Sequence, residues 1–217
     1  DGARFAARSA HLELLGLHAF GASNVLDAGA LVAHVAATGR AARELARVAG
    51  TTVRIVDAGG GLGIPYETHE ESLDLVTLGR GLAAVTATWA GDELLADGRL
   101  LLEPGRFLVG PAGAYLARVV DVKTVNGTVV AILDGGVHHV LRPALVGQEH
   151  RVRLFPGGGG GGARTVPVTV AGPLCSGLDV LAREARLPPL DVGELTFLKK
   201  APTISGPLIC AGVRHEA

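Results

Sequence analysis

Thr52-Val53-Arg54-Ile55-Val56-Asp57-Ala58-Gly59-Gly60-Gly61-Leu62-Gly63-Ile64-Pro65 carries a short apolar run straight into a loop of bare glycines. Val53 to Val56 reads as a buried strand. Glycines directly after it let backbone N–H groups come close to a ligand, which makes such a loop a cradle for an anion. Upstream, Asp27 is placed to cap a helix from about Ala28 to Val48, closed by Gly50. Leu31, Val35, Leu45 and Val48 form its apolar stripe at near-helical spacing. Before it, Leu12 to His18 reads as a strand, and residues 1–11 as the end of a helix with Arg4 and Arg8 on one face. Downstream, residues 70–95 read as a helix with Leu73, Val76, Leu82, Val85 and Trp89 facing inward. Arg99 to Leu102 is a third strand, ending at Glu103-Pro104-Gly105-Arg106. Strands alternating with helices predict parallel strands in an α/β layer. The polar loops all follow the carboxyl ends of strands, where such folds place their sites.

The texture changes after Arg106. Tyr115 to Val122, Val129 to Asp134, Val152 to Leu154 and Val166 to Val170 are short β-prone runs between Gly, Pro and Asn turns. Asn126-Gly127 between two of them is a hairpin signal. The expectation is an α/β domain over residues 1–108 and a mostly antiparallel β domain over 109–217. Gly157 to Gly162 is a run of glycines that reads as a flexible loop tip.

The 217 residues are 48% hydrophobic and 19% charged, with a formal net charge of −1. This places the chain with globular proteins and gives no basic surface for nucleic acid or an anionic membrane. No apolar run reaches the roughly 18–20 residues a membrane helix needs. Cys175 and Cys210 are the 2 cysteines, too few for a disulfide framework, so a cytoplasmic setting with reduced thiols is expected. The chain starts at Asp1 and holds no methionine, so the expectation is that Asp1 is not the natural start.

Taken singly, each motif has a plain alternative. The glycines at 59, 61 and 63 miss the spacing of a dinucleotide fingerprint, and Glu67, Glu70 and Glu71 come too early for its ribose-binding acid. No Gly-Lys-Ser/Thr follows, so a Walker loop fails. The loop is an anion cradle or simply a tight turn. Glu103-Pro104-Gly105-Arg106 offers an arginine to a phosphate or carboxylate, or forms an ordinary surface ion pair. Cys175 in Gly172-Pro173-Leu174-Cys175-Ser176-Gly177-Leu178-Asp179 is a proton donor, a nucleophile or inert packing. His138 and His139 are adjacent on a β-type run and point to opposite faces, a poor metal pair. No metal site is expected.

The order of the motifs narrows the choice. Gly16-Leu17-His18-Ala19-Phe20-Gly21-Ala22-Ser23 comes first, then Asp57 to Gly63, then Glu103-Pro104-Gly105-Arg106. Asp134-Gly135-Gly136 with Arg142-Pro143-Ala144-Leu145 follows, then Gly172-Pro173-Leu174-Cys175 with Asp179. This series, over residues 12–195, resembles the pyridoxal-phosphate-dependent decarboxylases of the ornithine, diaminopimelate and arginine type. The resemblance implies the C-terminal strands and helices of a (β/α)8 barrel that binds pyridoxal 5′-phosphate, followed by a mostly antiparallel β domain. It implies that Ser23, Gly59, Gly60, Gly61, Gly105 and Arg106 hold the cofactor phosphate. Glu103 would face the pyridine nitrogen and Phe20 would stack on the ring, where the family usually has His. Cys175 would be the catalytic proton donor, reaching a partner subunit's site in the family's homodimer. Arg142, near the distal end of an amino-acid substrate, and Asp179 would be its binding residues.

The departures bear on activity. The family's cofactor lysine lies near the start of its barrel, whereas the lysines here are Lys123, Lys199 and Lys200. Ala22 and Val146 stand where the family has glycine and tyrosine. Ser176 replaces the acid that diaminopimelate enzymes place after the cysteine. From about residue 196 the tail reads as unrelated sequence, as a frameshift produces, and the phosphate-binding tyrosine expected there is missing. The expected function is decarboxylation of a basic or diamino acid, with this chain incomplete and inactive alone. The alternative is a non-catalytic decarboxylase-like remnant or a regulatory partner of a full-length decarboxylase. An alanine-racemase-type barrel is disfavoured by Glu103 and the Cys175 motif.

Overall fold

The computed structural model describes residues 1–66, 69–147, 151–154 and 164–199. The chain divides into two compact units, Asp1–Phe107 and Leu108–Ala217. The glycine run at 157–162 and the tail beyond residue 199 lie outside the described residues.

The first unit holds a parallel three-stranded sheet in the order β1 (Gly16–His18), β2 (Ile55–Asp57), β3 (Arg99–Leu101). Leu17 pairs with Val56, and Val56 with Leu100, so fully buried Val56 sits at the centre. A short helix, α1 (Gly2–Arg8), precedes β1. Between β1 and β2 runs α2 (Ala28–Ala49), and between β2 and β3 runs α3 (Leu75–Ala87). The Asp27 carboxylate caps α2 by accepting from the N–H groups of Gly29 and Ala30, and Gly50 ends it at φ 69°. The stripe buries Leu31, Val35, Ala42 and Ala46. Ala42 and Ala46 pack with Val53, Val56, Trp89 and Leu95.

Two sequence expectations need correction here. The helix read over 70–95 is shorter, because the Asp74 carboxylate caps the N–H groups of Val76 and Thr77 and starts α3 at Leu75. That phase turns Leu78 inward and leaves Val76 exposed, while Leu73 and Trp89 are buried from the flanks. The strand read over Leu12–His18 keeps only Gly16–His18, and Leu12 and Leu15 are exposed.

The second unit is entered through α4 (Gly105–Val109) and a 3₁₀ turn at Gly110–Ala112. Its strands are β4 (Ala114–Val125), β5 (Thr128–Leu133), β6 (Val152–Leu154), β7 (Val166–Ala171), β8 (Val180–Leu187) and β9 (Leu195–Lys199), with α5 (Arg142–Val146) between β5 and β6. They form one six-stranded sheet in the order β6-β9-β4-β5-β7-β8. All neighbours are antiparallel except β5 and β7, which run parallel. The first half of β4 pairs with β9 and the second half with β5, with a register shift between Val119 and Asp121. The β4–β5 turn has Asn126 at φ 50° and Gly127 at φ 80°, the left-handed pair a two-residue hairpin needs. Alternate residues Ala117, Val119, Ala131, Leu133, Val168 and Val170 build the core at the period of two that a strand imposes.

The position from which the tail was expected to read as unrelated sequence, about residue 196, falls inside β9. Residues 195–199 form β9, hydrogen-bonded on both sides, and buried Thr196 donates its hydroxyl to the Ala117 carbonyl.

Candidate active site

The ladder of the parallel sheet ends with His18 beside Asp57 and Asp57 beside Leu101. Three loops leave these strand ends and are laced together by their backbones. Ala19 N–H donates to Asp57 O at 2.8 Å, Ala58 N–H to Leu101 O at 3.1 Å and Glu103 N–H to Gly59 O at 2.8 Å. On the other side, Val25 N–H donates to Gly61 O at 2.7 Å and Gly63 N–H to Val25 O at 2.9 Å. The glycine loop therefore lies between the 19–25 loop and the 102–105 loop.

Its glycines are required by shape. Gly59 and Gly61 have φ of 66° and 94°. A Cβ on Gly60 would lie 2.5 Å from Glu103 O, and one on Gly61 would collide with Ala22 O. The Asp57 carboxylate accepts from Gly59 N–H at 2.8 Å and sets the start of the turn.

Of the residues expected to hold a cofactor in this unit, Phe20, Ser23 and Glu103 lie on the loops that flank the glycines. Phe20 is 59% exposed, and its backbone and ring edge lie against Gly59. Ser23 is exposed on the same loop. Glu103 is exposed, with Oε2 3.6 Å from His18 Nε2. Gly105, expected to help hold the phosphate, donates its N–H to Glu103 O at 2.8 Å. Arg106 is the most informative. Its Nε and Nη1 are buried without a hydrogen-bond partner. Burying guanidinium donors unpaired costs roughly 1–3 kcal/mol each or more. A phosphate oxygen is an acceptor of the kind such a donor lacks. Glycine loop and arginine thus fit a phosphate-bearing cofactor.

His18, Asp57 and Glu103 also bring one donor atom each within 4.8 Å of one another. None of the three is buried, and Asp57 already accepts from Gly59, so they do not enclose an ion.

In the second unit, Cys175 lies exposed in the 172–179 loop between β7 and β8. Asp179 has a different place from the substrate-facing one expected. It is 2% exposed, and its carboxylate accepts from Val137 N–H and Leu174 N–H, both at 2.7 Å. The carboxylate sits where Cβ atoms on Gly136 or Gly172 would be. It clamps the Asp134-Gly135-Gly136 turn to the cysteine loop. Arg142 is half-buried at the first position of α5. Nearby in sequence, Tyr115 Oη and His139 Nδ1 are 2.8 Å apart. Burial, then the charges of Asp134 and Asp179, pushes the Tyr115 phenol up to about 12. Burial, then His138, holds the His139 imidazole below its ordinary value.

Sequence reasoning passed over His34. Its Nε2 lies 3.0 Å from Ala58 O and 3.3 Å from Ala19 O, bridging two of the three loops. The only signal was an imidazole on the long helix that follows the first strand.

Residues 23–201 match the model of a family described as the pyridoxal-dependent decarboxylases, C-terminal sheet domain. The chain is 37% identical over 180 residues to a diaminopimelate decarboxylase of Actinosynnema pretiosum subsp. auranticum, covering 82% of this chain and 39% of that protein. It is 28% identical over 188 residues to an L-glutamyl-[BtrI acyl-carrier protein] decarboxylase of Niallia circulans, covering 84% of this chain and 44% of that protein. The crystal structure of the Helicobacter pylori diaminopimelate decarboxylase complexed with L-lysine superposes with a TM-score of 0.74 at 28% identity, covering 90% of this chain and 46% of that one. The chain thus spans less than half the length of the relatives it matches.

Proposed function

The chain belongs to the pyridoxal-dependent decarboxylase family, and from that premise we propose that it carries the phosphate cradle and proton-donor loop of an amino-acid decarboxylase. The reading is carried by two observations, the buried, unpartnered donors on Arg106 and a glycine loop whose positions 60 and 61 admit no side chain. The three strands of the first unit are read as part of a (β/α)8 barrel, whose sites lie at the carboxyl ends of its strands.

Pyridoxal 5′-phosphate, when bound, supplies a protonated pyridine ring that draws off the electron pair left as carbon dioxide departs. Gly59 to Gly61, Ser23 and Arg106 hold the phosphate, with Gly105 shaping the turn between Glu103 and Arg106. The Glu103 carboxylate holds the proton on the pyridine nitrogen, and Phe20 offers a ring face for stacking. Cys175 Sγ delivers the proton that replaces the lost carboxyl group. Asp179 positions the Cys175 loop rather than touching substrate, and Arg142 lies on the substrate side. The substrate class is a basic or diamino acid, bound in a homodimer in which the cysteine loop serves the partner subunit's site. A cytoplasmic setting accords with an exposed, reduced Cys175.

Lys123, Lys199 and Lys200 all follow residue 108, so no lysine accompanies the cradle in this chain. The 217-residue chain alone therefore binds the cofactor without covalent attachment and does not turn over. Purified chain is assayed for carbon dioxide release from ornithine, lysine, arginine and diaminopimelate with added cofactor. None is expected, and release above the protein-free control contradicts the reading. The second reading is a non-catalytic remnant or regulatory partner of a full-length decarboxylase. Co-purification with a full-length decarboxylase would support it, and a monodisperse inactive monomer would count against it.

A further inference from the structure

The ends of β1 and β2 leave two carbonyls without a ladder partner. Ala19 and Ala58 each donate an N–H back to the neighbouring strand end, to Asp57 O and Leu101 O. Their carbonyls lie past the last paired residues, where the strands part into loops. Such groups need a donor. His34, on α2, provides it to both, with Nε2 3.0 Å from Ala58 O and 3.3 Å from Ala19 O. Both neighbours are acceptors, so Nε2 carries a hydrogen. The ring lies against Gly21, where a Cβ would come 2.7 Å from Nδ1. Gly21 is thus the notch that lets the imidazole reach the two strand ends.

The residues directly after these carbonyls are Phe20 and Gly59. One leads to Ser23 and the other opens the glycine loop. We propose that His34 is a positioning residue that sets the spacing of these two loops, and that the grip of the cradle on a phosphate depends on its Nε2–H. This rests on the cofactor reading above. His34 itself lies behind the loops on the helix side and acts through the two carbonyls. A donor shared by the two carbonyls ties the loops together from the helix side, in addition to their own backbone bonds, and small shifts in a binding site weaken a shape-dependent contact.

The test uses the 217-residue chain titrated with pyridoxal 5′-phosphate and with pyridoxal, which lacks the phosphate, followed by tryptophan fluorescence or calorimetry. Wild type is expected to prefer the phosphorylated probe. His34→Ala and His34→Asn remove a donor at the Nε2 position and are expected to lose about tenfold of that preference, a change worth about 1.4 kcal/mol. Affinity for pyridoxal should barely change. His34→Gln places an amide N–H₂ near the same position and is expected to restore most of the loss. Nitrogen-15 NMR should show a hydrogen on Nε2 in wild type. Unchanged preference in His34→Asn, or a His34→Gln that falls as far as His34→Asn, overturns the positioning role. If His34→Ala does not fold, the Asn and Gln variants decide. A wild type that shows no preference for the phosphorylated probe overturns the cofactor reading beneath, and the His34 role with it.

Discussion

The two units hold their functional loops with side chains of opposite chemistry. In the first, an imidazole donates to two carbonyls at the mouth of the glycine loop. In the second, a carboxylate accepts from two N–H groups at the base of the cysteine loop. The difference extends to what each leaves unsatisfied. The charge buried in the second unit, Asp179, has its acceptors filled from within. The first unit buries two guanidinium nitrogens of Arg106 with nothing to meet them. A satisfied buried charge is part of the fold, whereas an unsatisfied one is a candidate for meeting a ligand.

Substitutions that exchange these conditions should give opposite outcomes. The largest effect is expected at Asp179. Asp179→Ala strands the buried Val137 N–H and the half-buried Leu174 N–H, so urea unfolding should show a loss of roughly 1–4 kcal/mol. A loss under about 1 kcal/mol would mean the clamp is not structural. Arg106→Gln should behave the other way. Removing an unpartnered buried charge leaves stability equal or higher, while preference for pyridoxal 5′-phosphate over pyridoxal falls at least tenfold, about 1.4 kcal/mol. A variant that unfolds more easily and still binds would reverse the contrast.

A third change touches only the helix behind the first unit's loops. Asp27→Ala removes the cap that accepts from Gly29 and Ala30, and thermal unfolding should register about 1 kcal/mol. Binding preference should follow only as far as α2 carries His34 with it.

The smallest effect concerns pH, and it belongs to the second unit. His139 is held below its ordinary value of 6.5, so the unfolded chain takes up the proton more readily than the folded one. Its contribution is fully present above pH 6.5 and is lost as pH falls. Tyr115 runs in the alkaline direction. Its phenol is raised from 10.0 to about 12, so its contribution is present below pH 10 and is lost as pH rises toward 12. Melting temperature across pH should fall at both limbs, with His139→Asn flattening the acid limb and Tyr115→Phe the alkaline one. Ring exposure at His139 keeps the acid effect small.

Features fixed by local chemistry were legible in the chain itself. The Asp27 and Gly50 caps bound α2 within one residue of the reading, because capping is decided by residues adjacent to the helix. Asn126-Gly127 marked its hairpin for the same reason. The glycine loop and Arg106 were legible as chemistry, though only the structure shows the Arg106 donors unmet. What escaped is tertiary. Leu73 and Trp89 are buried beside α3 rather than on it, so periodicity extended that helix too far. His34 meets partners 15 and 24 residues away, which no spacing rule reports. Asp179 looked like a substrate residue from its place in a motif, and its burial gives it a clamp's role instead. β9 takes its register from β4 and β6.

The central claim is that Arg106 and the glycine loop form a phosphate site. The most direct measurement is calorimetric titration of the wild-type chain and of Arg106→Gln with pyridoxal 5′-phosphate, pyridoxal and inorganic phosphate. The expected result is phosphate-dependent binding by wild type, weakened at least tenfold in Arg106→Gln with pyridoxal affinity unchanged. Equal binding of the phosphorylated and unphosphorylated probes by wild type, or equal phosphate preference in both proteins, would contradict it.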